Sequence, residues 1–571
     1  MPFKTSTQLI VIVAFLTLIS LLPQIYLWTS RGSQWNGAFA NLDMDEYAYS
    51  AYLKSLIDNH PRRNDPYTRS DSAETETLFS IQCLPAYTLA FLARFFGLSA
   101  SAVFIILAPV ITVASALAVF WLLSSVTEDN KLAVVGSLGV LVVGTVVAVN
   151  PGSILIGDQG FDFLPFLRRY LPATAFPFIF GLLLFTWKAL TRQAAWAIVA
   201  GFLFVILIFS YFFLWTAAAA WLFGLCLIWT VTRREKRRGF SVFGIIFGIG
   251  LLGLVPYAWL IQHRTASINT TQVLELTHRP DLLRGPEIYA LVLLLLMANQ
   301  WRRRQLPLSD SRVVFAGSLL FAPLILFNQQ LITGRSLQPF HYEHFVSNYF
   351  VVLAAFIVMS VIHITRSRRF VFYLLAGSMI LATLISIRMI QLTGRLSDHL
   401  DVARAAALHL RLTDQSGLVV GSDLLVMDTL PTVTSNPVLW APHLSAFSAL
   451  NPYSQRQRFF QNLYYAGFSQ KKFDEALHSS LIARAQIFGA QRADPVLASS
   501  VQPISELEIA QAVSEYKDFI ASFDRKRASE PILAYALVHA DDNLNNLDRW
   551  YERKEPTKFG DLILYPVTLK Q

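Results

Sequence analysis

Residues 193–232 read QAAWAIVAGFLFVILIFSYFFLWTAAAAWLFGLCLIWTVT, forty positions without one Asp, Glu, Lys or Arg. An α-helix rises about 1.5 Å per residue and the hydrocarbon layer is about 30 Å thick, so one crossing needs roughly 17 to 25 apolar residues. Forty residues are two crossings, and the aromatic run 209–215 is the predicted turn between them. Backbone groups in lipid must bond within their own segment, so helices are the expected form. Ten further stretches are free of charge: 5–30, 77–93, 95–127, 132–157, 170–187, 239–263, 288–301, 313–334, 344–365 and 370–387.

The rest of the chain agrees with this reading. Of 571 residues 54% are apolar and 15% charged, against about 25% charged in ordinary soluble domains. Residues 391–571 hold 38 of the charged residues and the first 390 hold 47, so a soluble fold is excluded for the first part and expected for the second. The 43 Phe exclude intrinsic disorder, and two cysteines far apart, Cys83 and Cys226, exclude a disulfide framework.

Orientation follows from the basic residues. If 77–93 does not cross, then Lys188 and Arg192, the cluster 233–238, Arg302 to Arg304 and Arg366, Arg368 and Arg369 all lie on one side with the N-terminus. That assignment predicts 11 crossings, a cytoplasmic N-terminus and an extracytoplasmic C-terminal domain. The segment 78–96 then becomes an apolar helix at the outer membrane surface. The net charge of +9 reports orientation and says nothing for nucleic acid. Residues 9–28 carry bulky Leu21, Leu22, Tyr26 and Leu27 where a signal peptide would need small residues, so they read as a retained first helix. A bacterial inner membrane is the expected location.

The outer loops hold the chemistry. The first, about 29–100, contains NLDMDEYAYSAYLKSL (41–56), with Asp43, Asp45 and Glu46 at the start of a short amphipathic helix whose dipole favours carboxylates there. One of them is a general base or metal ligand, or else only a helix cap. The second, NPGSILIGDQGFDFLPFLRRYLP (150–172), contains Asp158 and Asp162 before the pair Arg168 and Arg169. An arginine fork at a membrane surface suits a phosphate; ordinary snorkelling is the bland alternative. Residues 262–286 carry His263, Arg264, His278, Arg279 and Arg284, and TGRSLQPFHYEHF (333–345) carries Arg335, His341, Glu343 and His344. Two histidines three apart can bind zinc, but binding of a substrate headgroup is the stronger reading.

This layout resembles the GT-C superfamily of integral membrane glycosyltransferases, which includes protein O-mannosyltransferases and aminoarabinose transferases. The resemblance rests on one N-terminal helix, the Asp45-Glu46 dipeptide soon after it, the juxtamembrane stretch LFSIQCLPAYTLAFLARFF (78–96), a second acidic loop two helices later and a C-terminal outer domain. It covers residues 1–390. It implies inverting transfer of a sugar from a polyprenyl-phosphate carrier to a glycan, lipid or protein acceptor on the outer face. It also implies Asp45 as the base, with Asp43 and Glu46 raising its pKa. Arg168 and Arg169, helped by Arg335, His341 or His344, would then bind the lipid phosphate, and Asp158 or Asp162 would orient the acceptor or bind a divalent ion. No other cofactor is implied. A transporter or flippase for a lipid-linked or polar substrate is the alternative function.

The C-terminal part, 391–571, alternates helical and extended patterns and is expected to be an α/β domain. A helix over 397–413 capped by Ser397, strands at 418–421, 485–489, 532–538 and 562–567, and helices at 455–465, 471–481 and 506–523 are predicted. It carries no glycine-rich phosphate loop.

Overall fold

The computed structural model describes residues 3–71, 75–149, 151, 162–232, 236–264, 275–276, 280, 282–336, 338–364, 367–412, 416–447, 450–493 and 503–571. The first part is a bundle of helices: α1 Phe3–Arg31, α2 Asp45–Ile57, α3 Cys83–Phe96, α4 Ala100–Thr127, α5 Asn130–Val147, α6 Phe176–Thr191, α7 Trp196–Ile208, α8 Phe212–Thr232, α9 Lys236–Gln262, α10 Gly285–Arg302, α11 Ser311–Asn328, α12 Asn348–Val361 and α13 Arg368–Leu412. Among the described residues nine helices are long and apolar enough to cross a membrane. All eleven expected segments are helical. The two outside the nine are α7, with 13 residues, and α10, which has Glu287 in its first turn and Arg302 in its last. The forty-residue run 193–232 divides at 209–211, as its aromatic turn predicts.

The segment 78–96 is helical but broken. A single turn, Leu78–Ile81, ends at Gln82, whose Oε1 accepts a hydrogen bond from the Phe212 amide at 3.1 Å. In α3 the small residues Ala86, Ala90 and Ala93 are buried, while Phe91, Phe95 and Phe96 are 68%, 73% and 65% exposed. A helix that buries its alanines and exposes its phenylalanines is suited to acyl chains on its outer side.

Close helix packing in the bundle depends on glycine. A Cβ placed on Gly139 of α5 would lie 2.6 Å from the Phe356 ring of α12, and one on Gly144 would lie 2.8 Å from Tyr349. The absent side chains let α5 and α12 meet directly.

The largest departure from expectation is α13. It runs unbroken for 45 residues, about 68 Å at 1.5 Å per residue, out of the bundle and into the C-terminal domain. The 390/391 boundary therefore falls inside a helix, and Ser397 is not a cap. No proline stands between 368 and 412, so nothing stops propagation. The Ser397 hydroxyl instead donates to the Phe39 carbonyl (3.4 Å) and accepts from the Asn41 amide (3.5 Å). Arg31 pairs with Asp398 at 2.8 Å and with Asp401, and Arg404 donates to the Asn36 carbonyl (3.0 Å) and the Ser101 hydroxyl (2.7 Å).

The C-terminal domain is α/β. Its strands are β1 Leu418–Gly421, β2 Leu533–His539, β3 Tyr551–Arg553, β4 Thr557–Phe559 and β5 Leu562–Leu569. They are ordered β1-β2-β5-β3 with β4 also on β5; β1 and β2 are parallel and the other pairings antiparallel. Of residues 485–489, expected as a strand, 485–488 belong instead to the helix Leu481–Phe488 and Gly489 caps it, because the Ser480 side chain accepts from the Ala483 amide at 3.3 Å and starts the helix. The short strands β3 and β4 were not foreseen. The helices Pro452–Tyr465, Gln470–Ser479 and Glu506–Ala521 lie where expected.

Replacing Gly139 by Leu is expected to force α5 and α12 apart and to destabilise the bundle by about 1–3 kcal/mol, the usual range for overpacking. A lowered melting temperature in detergent checks this.

Candidate active site

The site is built at the N-terminal end of α2. The Asp43 carboxylate accepts from the Asp45 amide at 2.8 Å, so Asp45 and Glu46 open the helix in its first turn. They then diverge. Glu46 is wholly buried and spends both oxygens inward: Oε1 accepts from the Arg169 amide (2.8 Å) and Nε (3.1 Å), and Oε2 from Arg169 Nη2 (3.1 Å) and the Leu42 amide (2.9 Å). Arg169 also donates to the carbonyls of Phe104 (3.2 Å) and Ala40 and lies over the rings of Phe39 and Phe104. Every part of this pair has a partner within the protein. Arg169, expected to bind the lipid phosphate, and Glu46, expected among the catalytic carboxylates as a neighbour that raises the Asp45 pKa, are instead paired with each other inside the fold.

Arg168 is as deeply buried but less completely partnered. It is 2% exposed and lies across the rings of Tyr49 and Phe345, at 5.4 and 5.3 Å. Nη2 donates to Asp45 Oδ2, and Nε stands 3.3 Å from Asp43 Oδ2. The guanidinium thus sits between the two carboxylates. Its Nη1 is buried and meets no acceptor among the described residues. A buried donor of this kind costs roughly 1–3 kcal/mol if left unsatisfied.

The remaining face of Asp45 is met from the C-terminal domain, by a residue that the sequence did not single out. His443, in the turn Pro442–Ala446, places Nε2 3.2 Å from Asp45 Oδ1. Its Nδ1 is 2.5 Å from Oδ2 of Asp428, whose Oδ1 accepts the His443 amide at 3.0 Å. Asp428 is fully buried. The stack of Phe447 on Phe79, with centroids 4.6 Å apart, fixes this turn against the first loop. A lone His in WAPHLSAF carries no pattern linking it to a carboxylate 398 residues earlier, so no sequence signal could have found it.

These partners reverse the expected electrostatics of Asp45. The enclosing protein works against its ionisation, but Arg168 and then His443 outweigh that and hold the carboxyl well below the usual carboxylate range. Asp43 and Glu46 were expected to raise it, but Glu46 is neutralised by Arg169 and Arg168 stands between Asp43 and Asp45. Asp43 itself is shifted up, by burial first, with Arg168 opposing and the Asp45 charge adding. For His443 burial favours the neutral ring, yet Asp428 and Asp45 prevail and raise its pKa well above the ordinary value. The Asp45 side chain keeps 45% of its surface exposed, so unshared lone pairs remain open to a substrate.

The other predicted residues divide. His341 is near the cluster: its ring stacks on Phe213 (4.4 Å between centroids), stands 5.6 Å from the Phe345 ring that Arg168 covers, and leaves Nδ1 buried without a partner among the described residues. His344 stacks on Phe340 and its Nδ1 meets the Phe340 carbonyl at 3.2 Å. Arg335 is exposed and lines a groove, with Leu78, Phe212, Trp215, Ile325 and Tyr342 among the other walls. Tyr342 meets the edge of Phe213, so the groove and the Arg168 cluster are joined by a chain of rings. Asp162 is exposed and has no hydrogen bond or ion pair to the cluster. Asp158, with His278 and Arg279, lies outside the described residues. No three His, Cys, Asp or Glu side chains converge as a metal site among the described residues.

No family model matches the chain, and no curated protein matches it. Solved structures do. The oligosaccharyltransferase of Archaeoglobus fulgidus in its apo form aligns over 99% of this chain and 74% of its own, at 13% identity and a TM-score of 0.42. The same enzyme tethered to an acceptor peptide aligns over 100% and 74%, at 13% identity and 0.44. ArnT from Cupriavidus metallidurans, bound to undecaprenyl phosphate, aligns over 96% and 97%, at 11% identity and 0.42. These are likenesses of overall arrangement, and the function proposed below rests on the side chains.

Removing one partner of a buried ion pair leaves an uncompensated charge at a cost of about 3–5 kcal/mol. Glu46→Ala is therefore expected to lower stability by that amount, and the double variant Glu46→Leu with Arg169→Met to recover part of it, as measured by thermal unfolding in nanodiscs.

Proposed function

We propose that this protein is an integral membrane glycosyltransferase that moves a sugar from a polyprenyl-phosphate donor to an acceptor hydroxyl or amide with inversion. The observation that carries this reading is Arg168: a buried guanidinium, held between Asp43 and Asp45, with Nη1 unpartnered. In the reaction the acceptor oxygen or nitrogen attacks the anomeric carbon as its proton passes to Asp45. The bond from that carbon to the phosphate oxygen breaks, and its electron pair leaves with the lipid phosphate. Arg168 Nη1, with His341 beside it, receives the charge that develops there in a site of few waters, where such a donor is most effective. The phosphate headgroup lies at Arg168 and the prenyl chain lies along the aromatic groove, with Arg335 at its polar rim.

A carboxylate held at low pKa is a weak base, so proton removal comes late, after the bond to the leaving phosphate has lengthened. Arg168 lies against both Asp43 and Asp45 and balances their charge in the proposed reaction. The site lies on the side opposite the basic loops, which the positive-inside rule makes extracytoplasmic, in keeping with a bacterial inner membrane. A flippase is disfavoured because the charged groups gather at one end of the bundle, where chemistry on a headgroup is done, and not along its middle.

Transfer of labelled hexose from undecaprenyl-phosphate hexose into a cell-envelope fraction tests the proposal. Asp45→Asn is expected to lose about 10²–10⁴-fold in rate, the range for a general base, while undecaprenyl phosphate still raises its melting temperature. Full activity in that variant would remove Asp45 as the base. Arg168→Gln is expected to lose the thermal shift as well as the activity. A chelator should leave transfer by the intact protein unchanged.

A further inference from the structure

We infer that the C-terminal domain completes the active site: His443, anchored by Asp428, is a positioning residue that fixes the Asp45 carboxylate for proton transfer. This deepens the reading of Asp45 as the base and rests on it.

The geometry is that of a relay of three side chains. Asp428 is fully buried and takes both the amide and the Nδ1 proton of His443, so the ring has one orientation available. In that orientation Nε2 is the atom turned to Asp45, at 3.2 Å. Two carboxylates facing the two ring nitrogens favour the imidazolium, in which both nitrogens donate. The groups that face the ring are Asp428 from its own domain and Asp45 from α2, with Arg168 on the far side of Asp45. Asp423, at the start of the same short helix as Asp428, is turned to His399 and His539, at 3.7 and 3.8 Å.

An imidazolium bound to Asp428 cannot accept a further proton, so His443 is not a second base. It holds one oxygen of Asp45 while Arg168 holds the other. Each Asp45 oxygen is thereby held by a different donor, which restricts rotation of the carboxylate while 45% of the side chain stays exposed. Fixing a base within hydrogen-bond reach of its proton is worth orders of magnitude in rate without any change in binding. The direction with pH follows from the raised pKa of His443: its contribution is whole below the ordinary imidazole value and is lost as pH rises through the raised one.

Two measurements on the full-length protein in nanodiscs decide this. Histidine hydrogen–deuterium exchange read by mass spectrometry reports the titration of His443 without any substrate. It is expected to titrate above an ordinary histidine, and its midpoint to fall in Asp428→Asn and also in Asp45→Asn; no change in Asp45→Asn would overturn the contact between the domains. In the hexose-transfer assay, His443→Ala is expected to lower kcat about 10–100-fold with KM for the undecaprenyl-phosphate hexose unchanged. His443→Gln, which keeps a donor near Asp45, should restore part of kcat and lack the alkaline decline of the parent. Wild-type kcat in His443→Ala, or an unaltered alkaline decline in His443→Gln, would sink the inference while Asp45→Asn remains inactive. Activity in Asp45→Asn would instead sink the reading of Asp45 on which it rests.

Discussion

The Glu46–Arg169 ion pair is the constraint on which the site depends. It is buried, it accepts or donates at every polar atom, and it ties the first turn of α2 to the second loop. Adjacent residues on an extended backbone point in different directions, and adjacent residues at a helix start diverge by about 100°. Once Glu46 and Arg169 are locked together inside, their neighbours Asp45 and Arg168 are set side by side, the carboxylate 45% exposed and the guanidinium 3%. The first pair is satisfied within the fold, and the second keeps an open carboxylate face and an unpartnered donor. A dipeptide on each side, Asp-Glu and Arg-Arg, supplies both.

That arrangement also explains the charge state of the second pair. Asp43, Arg168, Asp45 and His443 alternate in sign, so Asp45 and His443 are each held in the charged form by the neighbours of opposite sign, while burial outweighs Arg168 at Asp43. Asp428 extends the series on the far side of His443, so the cluster holds three carboxylates against two cations, and within it Arg168 Nη1 is the donor left without a partner among the described residues.

Much of this was legible in the sequence. The crossings follow from length and charge alone, because a charge-free stretch of 18 residues has few other uses, and the aromatic turn at 209–211 follows from the forty-residue run. The residues Asp43, Asp45 and Arg168 were legible as candidates because charge at the outer end of an apolar helix is rare. What the sequence could not convey is pairing. Arg168 and Arg169 look alike as letters and are equally buried; only the hydrogen bonds from Arg169 to Glu46 and to the carbonyls of Phe104 and Ala40 leave one fully partnered and the other not. His443 was invisible because its role depends on a contact made across the whole chain. The differences in the C-terminal domain are local in origin: a serine cap makes 485–488 helical, and α13 runs on through 397 because no proline interrupts it.

The length of α13 has a mechanical meaning. It is one rod shared by the bundle and the domain, so the two are stiffly coupled: a tilt of about 1° between them displaces a point ~30 Å along the rod by about 0.5 Å. Hydrogen bonds weaken steeply over that distance. The bond from His443 to Asp45 is thus a gauge of how straight the rod stands. Because the rod is continuous, the bundle and the domain tilt in the membrane as one body, and the angle between them is held by α13 itself.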